Sequence, residues 1–122
     1  MSRNILVVED DVDMRALIQR TLLNAGYAVR AVGNGLEAAA SCLTGIPDLI
    51  ISDVHMPRMN GFEMIQILKS EPAMQDIPVI FLTADSKGRR KVNKLGAVDY
   101  LTKPLRMDSL LGSLAKHLPA KG

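Results

Sequence analysis

Cysteine is nearly absent from this chain, tryptophan is wholly absent, and no apolar run is long. Cys42 is the single cysteine in 122 residues. An internal disulfide is therefore impossible, a metal site built on cysteine would have one thiolate and is not expected, and a reducing, cytosolic setting fits best. Two tyrosines and two phenylalanines complete the aromatic set, too few to stack bases along a nucleic acid. No apolar stretch nears the ~20 residues that cross a bilayer, which excludes a transmembrane span. Met1-Ser2-Arg3-Asn4 leads into only four apolar residues before Glu9, too short for the apolar core of a signal peptide. The formal net charge of +2 is too small to argue for nucleic acid.

What is present is ordinary globular composition: 48% hydrophobic and 23% charged residues. At 13.3 kDa this is one domain over residues 1–122, with a core from about 4 to 118 and a frayed tail over 119–122. The charges are unevenly spread. Four of the thirteen acids fall within Glu9–Asp13, whereas Lys87–Lys94 holds five bases and no acid. A basic run this short reads as a solvated helix face, with steering of an acidic partner as the sharper alternative.

Three continuous apolar runs, Ile5–Val8, Leu49–Ile51 and Val79–Leu82, have the character of strands buried on both faces of a parallel sheet. Tyr27–Val32 and Val98–Thr102 mix in Arg30, Asp99 and Thr102 and read as the two edges. Helical spacing fills the intervals. One stripe is Met14, Leu17, Ile18, Thr21, Leu22 and Ala25, ended by Gly26 at C′. Asn34 can cap a second helix with Leu36, Ala39, Ala40 and Leu43 inward. Asn60 can cap a third with Phe62, Ile65 and Leu68 inward, and a last helix from about Met107 would bury Leu110, Leu111, Leu114 and Leu118. The fourth segment, between Thr83 and Gly96, is weakly apolar and interrupted by Gly88, which predicts a short, frayed or displaced helix. Strand and helix alternating along the whole length predict a (βα)5 doubly wound α/β fold.

In an open α/β sheet, ligands bind beyond the carboxyl ends of the strands. Glu9, Asp10 and Asp11 follow the first strand, Asp53 the third, Thr83-Ala84 the fourth and Lys103-Pro104 the fifth. If Asp10 and Asp53 end neighbouring strands, their carboxylates lie about 4–6 Å apart, and two unit charges at 4 Å repel by roughly 4 kcal/mol at an effective dielectric of 20. Such a cluster must hold protons or bind a cation. Hard carboxylate oxygens favour Mg²⁺, with Mn²⁺ second. Asp11 is the natural cap of the first helix. A carboxylate at a divalent metal with an ammonium beside it can attack a phosphoryl group, giving an aspartyl phosphate on Asp53. Lys103 and the Thr83 hydroxyl would then meet the charge that spreads over the phosphoryl oxygens.

Val8-Glu9-Asp10-Asp11, Asp53-Val54-His55-Met56-Pro57 with Gly61, Thr83-Ala84, and Gly96-Ala97 with Tyr100 and Lys103-Pro104 together resemble the receiver domain of two-component response regulators. The resemblance runs from Ile5 to about Leu118. It implies a flavodoxin-like sheet in strand order 2-1-3-4-5. It also implies Asp53 as phosphoacceptor, and Glu9, Asp10, Asp53 and the backbone carbonyl of His55 around Mg²⁺. Thr83 would be the switch hydroxyl, Lys103 the phosphate-side lysine, and Tyr100 the aromatic that changes rotamer. The His55 and Asp85 side chains would tune phosphate lifetime from the rim, a metal-ligating His55 imidazole being the lesser reading. The Lys103–Pro104 bond is expected to be cis, a state tolerable because the second residue is proline.

As a receiver, the chain would take a phosphoryl group from a sensor histidine kinase or histidine phosphotransfer protein. It would switch its 83–118 surface towards a protein target or a second copy, with no direct nucleic-acid or membrane contact, as a signalling switch rather than an enzyme. A stand-alone receiver, a relay shuttle and a domain of a longer chain all fit. The alternative is a pseudo-receiver that binds partners without phosphorylation. A haloacid-dehalogenase-type phosphatase would want its nucleophile after the first strand, and a flavodoxin would want a Ser-, Thr- or Gly-rich loop where Glu9-Asp10-Asp11 stands. Two departures from the family pattern stand out. Leu105 replaces a common phenylalanine, and thirteen positions separate Thr83 from Gly96, about two fewer than is usual.

Overall fold

A computed structural model describes residues 3–56, 58–84 and 96–119. Its strands are β1 (Asn4–Val8), β2 (Ala28–Val32), β3 (Leu49–Asp53), β4 (Val79–Thr83) and β5 (Asp99–Thr102), and its helices are α1 (Val12–Asn24), α2 (Gly35–Thr44), α3 (Gly61–Ser70) and α4 (Met107–His117). All neighbouring strands pair in parallel, in the order β2-β1-β3-β4-β5. The three apolar runs are β1, β3 and β4 at the centre, and the two mixed runs are the edges. The expected fourth helix, the basic run Lys87–Lys94 and Asp85 lie outside the described residues.

Side chains alternate across the sheet with the two-residue period of a strand. Ile5, Val7, Leu49, Ile51, Ile80 and Leu82 point to one face, where Ile18 and Leu22 of α1 and Leu110 and Leu114 of α4 cover them. Leu6, Val8, Ile50, Val79 and Phe81 point to the other, covered by Ala38 and Cys42 of α2 and by Met64, Ile65 and Leu68 of α3. Because both faces are covered, Leu6, Val7, Val8, Ile50 and Ile51 have no exposed surface, which is why these strands carry no polar alternation.

The helix ends follow their sequence signals. The carboxylate of Asp11 accepts from Met14 N at 3.0 Å, and the Asn34 side chain accepts from Glu37 N at 2.9 Å. Asn60 and Glu63 form a reciprocal capping box at the start of α3. Gly26 follows α1 with φ 99°, the left-handed region open to glycine.

The inward faces needed correction in two helices. In α2 the buried residues are Gly35, Ala38 and Cys42, whereas Leu36 is 51% and Leu43 79% exposed. Both stripes have helical spacing, and the sheet selects the one with small side chains because α2 starts against the loop after β3. A Cβ on Gly35 would lie 2.8 Å from the Met59 carbonyl oxygen. In α1, Leu17 faces outward at 41% exposure, leaving Ile18 and Leu22 as the buried pair. The inward face of α3 gains Met64, and Phe62 sits half-buried with its ring edge-on to Phe81 at 5.6 Å.

Candidate functional site

The carboxyl ends of β1 and β3 lie side by side, with Val8 opposite Ser52. Glu9 and Asp10 leave β1 there, and Asp53 is the last residue of β3. The result is a cluster of Glu9, Asp10 and Asp53 in which one ligand atom from each lies within 4.8 Å of the others. Among the described residues it is the one group of three or more acids, histidines or cysteines placed to share an ion, and the His55 imidazole is outside it. Glu9 has no exposed surface and Asp53 is 5% exposed, while Asp10 opens the cluster to solvent.

Lys103 arrives from the end of β5. Its backbone N donates to Thr83 O at 2.8 Å, which fixes the stem. Its ammonium then donates to Asp53 Oδ2 at 2.6 Å and to Glu9 Oε1 at 3.0 Å. The Lys103–Pro104 peptide that follows is cis. One ammonium against three carboxylates leaves the cluster short of positive charge. Burial, opposed by the Lys103 hydrogen bond and reinforced by Asp53 and Asp10, pushes the Glu9 carboxyl up to about 7. Burial also works against the Lys103 charge, yet its bonds to Asp53 and Glu9 carry it above the ordinary lysine value.

Thr83, at the end of β4, is 2% exposed, and β4 lies beside β3 with Asp53 opposite Leu82. His55 is exposed, and its backbone N donates to Asp53 Oδ1 at 3.2 Å. Tyr100 sits half-buried on β5 against the α2–α3 side of the core. It also lines a cavity of about 210 Å³ with Pro104, Leu105 and Arg106. Leu105 is half-buried against the opposite core, so the missing phenylalanine is a packing change. Gly61 holds α3 close to β3, since a Cβ there would come within 2.7 Å of both the Asp53 carbonyl oxygen and the Phe81 ring. Sequence reasoning passed over Arg15, whose Nη1 donates to Glu9 O at 3.1 Å. Its one sequence signal is a base one turn into a helix that begins beside the acids.

The α/β sheet thus carries acids on two adjacent central strand ends, a lysine after the edge strand and a buried threonine on the strand between them. The family model for the response regulator receiver domain matches residues 5–115. The chain is a receiver domain of the response-regulator family.

A probable transcriptional regulator, ycf29 of Pyropia yezoensis, is 41% identical over 123 residues, covering 99% of this chain and 55% of that protein. Response regulator MprA of Mycobacterium bovis is 38% identical over 93% of this chain and 50% of its own length. The chain thus spans about half the length of these curated relatives. Among solved structures, chemotaxis protein CheY4 of Vibrio cholerae has a TM-score of 0.90 at 32% identity, covering 97% of this chain and all of that one. The receiver domain of sensor histidine kinase PA1611 of Pseudomonas aeruginosa has a TM-score of 0.87 at 28% identity, covering 96% of this chain and 98% of that one. That structure holds a magnesium ion in its active-site cleft. These findings favour the receiver over the pseudo-receiver alternative and place the chain in a family of signalling switches, not enzymes.

Proposed function

We propose that Asp53 accepts a phosphoryl group from a phosphohistidine of a sensor kinase or phosphotransfer protein, and that the change in charge there resets the 83–118 surface for a protein target or a second copy. The observation that carries this reading is the Lys103 ammonium bridging Asp53 at 2.6 Å and Glu9 at 3.0 Å, beside an exposed Asp10. The donor set is all carboxylate oxygen, short of positive charge and open on one side, which suits Mg²⁺ and, less selectively, Mn²⁺. Asp10 and Asp53 would hold the ion directly, Glu9 through water, and the His55 backbone carbonyl would supply a further oxygen. When bound, the ion neutralises charge on the phosphoryl oxygens and orients the group for in-line displacement.

The chain's own groups do the rest. One Asp53 oxygen forms the new O–P bond as the P–N bond of the donor breaks, the electron pair leaving with the imidazole nitrogen, which then holds a proton from solvent. Lys103, already bonded to Asp53 Oδ2 at 2.6 Å, meets the phosphoryl charge. The Thr83 hydroxyl donates to a phosphoryl oxygen, and Tyr100 follows the movement into the core, coupling the site to β5 and α4. The exposed His55 side chain and Asp85 set how readily water reaches the aspartyl phosphate. The domain spans residues 1–122 and works in the cytoplasm, apart from nucleic acid and membrane.

A beryllofluoride mimic of the phosphoryl group tests the switch. In Mg²⁺ it should shift the amide resonances of residues 53–56, 83–84 and 96–118 in the wild type and leave Asp53→Asn unchanged. Equal shifts in both proteins, or none in either, would overturn the reading.

A further inference from the structure

We infer that Arg15 is a positioning residue for the cation site, holding Asp10 in place through the backbone rather than pairing with any acid. The inference rests on the reading of Glu9, Asp10 and Asp53 as a Mg²⁺ site. Arg15 stands one turn into α1, and helical side chains lean back towards the N-terminus. Its guanidinium is thereby carried over the β1–α1 loop, where Nη1 donates to Glu9 O at 3.1 Å. Among the described residues Arg15 forms no ion pair within 4.0 Å, although Asp11 and Asp13 lie in the same short stretch. An arginine among acids that bonds a carbonyl instead is placed by the backbone it holds.

The consequence follows from peptide geometry. Glu9 O and the Asp10 Cα belong to one rigid plane. The Glu9 side of the loop is already fixed, with its N donating to Val32 O at 3.1 Å and its carboxylate on Lys103. Asp10 is the exposed member of the cluster, its carboxylate standing beside those of Glu9 and Asp53. Holding the Glu9 carbonyl therefore fixes where the Asp10 side chain starts, and a charge-assisted bond is strong enough for that task.

The fold also keeps the path of the guanidinium clear. A Cβ on Gly33 would come 2.9 Å from Arg15 Nη1 and 3.2 Å from Glu37 Oε1. Both neighbours are the far ends of flexible side chains, so alanine at 33 would displace them without disturbing the sheet. Gly33 is itself held to α2, its N donating to Glu37 Oε1 at 3.0 Å. The loops after β1 and β2 thus meet at Arg15.

The test is Mg²⁺ affinity by amide chemical-shift titration, with thermal unfolding run on the same samples. Removing a cation beside three carboxylates should by itself tighten Mg²⁺ binding, so the sign separates positioning from charge. Arg15→Met should weaken Mg²⁺ about tenfold, the lower range for a group that orients a metal ligand. Gly33→Ala, which leaves Arg15 present but pushed aside, should weaken it in the same direction, and Arg15→Lys, still a donor, should recover most of the loss. Gly33→Ala carries the test alone if Arg15→Met fails to fold. Mg²⁺ affinity equal to or tighter than wild type in Arg15→Met or Gly33→Ala would overturn the inference. A wild type with no Mg²⁺ response would instead remove the cation site itself.

Discussion

Replacing Glu9 by glutamine in the magnesium-free protein should stabilise it, and increasingly so as pH rises. Glu9 is wholly buried and shares a single ammonium with Asp53 at 3.0 and 2.6 Å. A carboxyl carried from 4.5 to about 7 in the folded state favours its protonated form by roughly 3 kcal/mol. Between those two values the folded protein keeps a proton that the unfolded chain has released. Stability attributable to Glu9 therefore falls as pH rises through this window and is fully lost above it. Glutamine keeps the shape and stays neutral throughout. The stability difference between Glu9→Gln and wild type should widen by roughly 2–3 kcal/mol between pH 5 and pH 8. Urea unfolding in chelator, followed by far-UV circular dichroism because the chain has no tryptophan, measures it at both pH values. Added Mg²⁺ should reverse the ranking, since it stabilises the protein that binds it more tightly. A difference that is flat with pH, or a variant less stable than wild type at pH 8 in chelator, would refute the electrostatic reasoning.

Three further substitutions probe how the helices around the sheet are held. Asn60→Ala removes the side chain that accepts from Glu63 N at 2.9 Å and should cost about 1 kcal/mol in the same unfolding assay. The orientation of α2 is tested by a pair. Ala38→Leu enlarges a 1% exposed position and should destabilise by about 1–3 kcal/mol, whereas Leu43→Ala alters a 79% exposed one and should stay within about 0.5 kcal/mol.

The sheet was readable from sequence because β1, β3 and β4 are covered on both faces, which writes an unbroken apolar run into each. Caps were readable for a similar reason, since Asp11, Asn34 and Asn60 each meet a helix N–H that has no intrahelical partner. The acids were placed correctly once strand ends were known, because parallel strands bring their carboxyl ends to one edge. The α2 face was not readable. The 36/39/40/43 stripe is the more hydrophobic, yet the close approach of Gly35 to Met59 O turns the small stripe inward. That preference belongs to the neighbouring loop, and no window of α2 contains it. The Lys103 bond to Glu9 was equally hidden, because it depends on how far β5 twists relative to β1 across three intervening pairings. Arg15 shows the same limit, since its partner is a backbone carbonyl that leaves no mark on residue type.

The central claim, that Asp53 is a phosphoacceptor, is tested most directly by intact-mass spectrometry after incubation with a small-molecule phosphodonor and Mg²⁺. Wild type should gain the mass of one phosphoryl group, while Asp53→Asn and a chelated control gain none. An adduct of equal yield on Asp53→Asn, or none on the folded, Mg²⁺-bound wild type, would contradict the account.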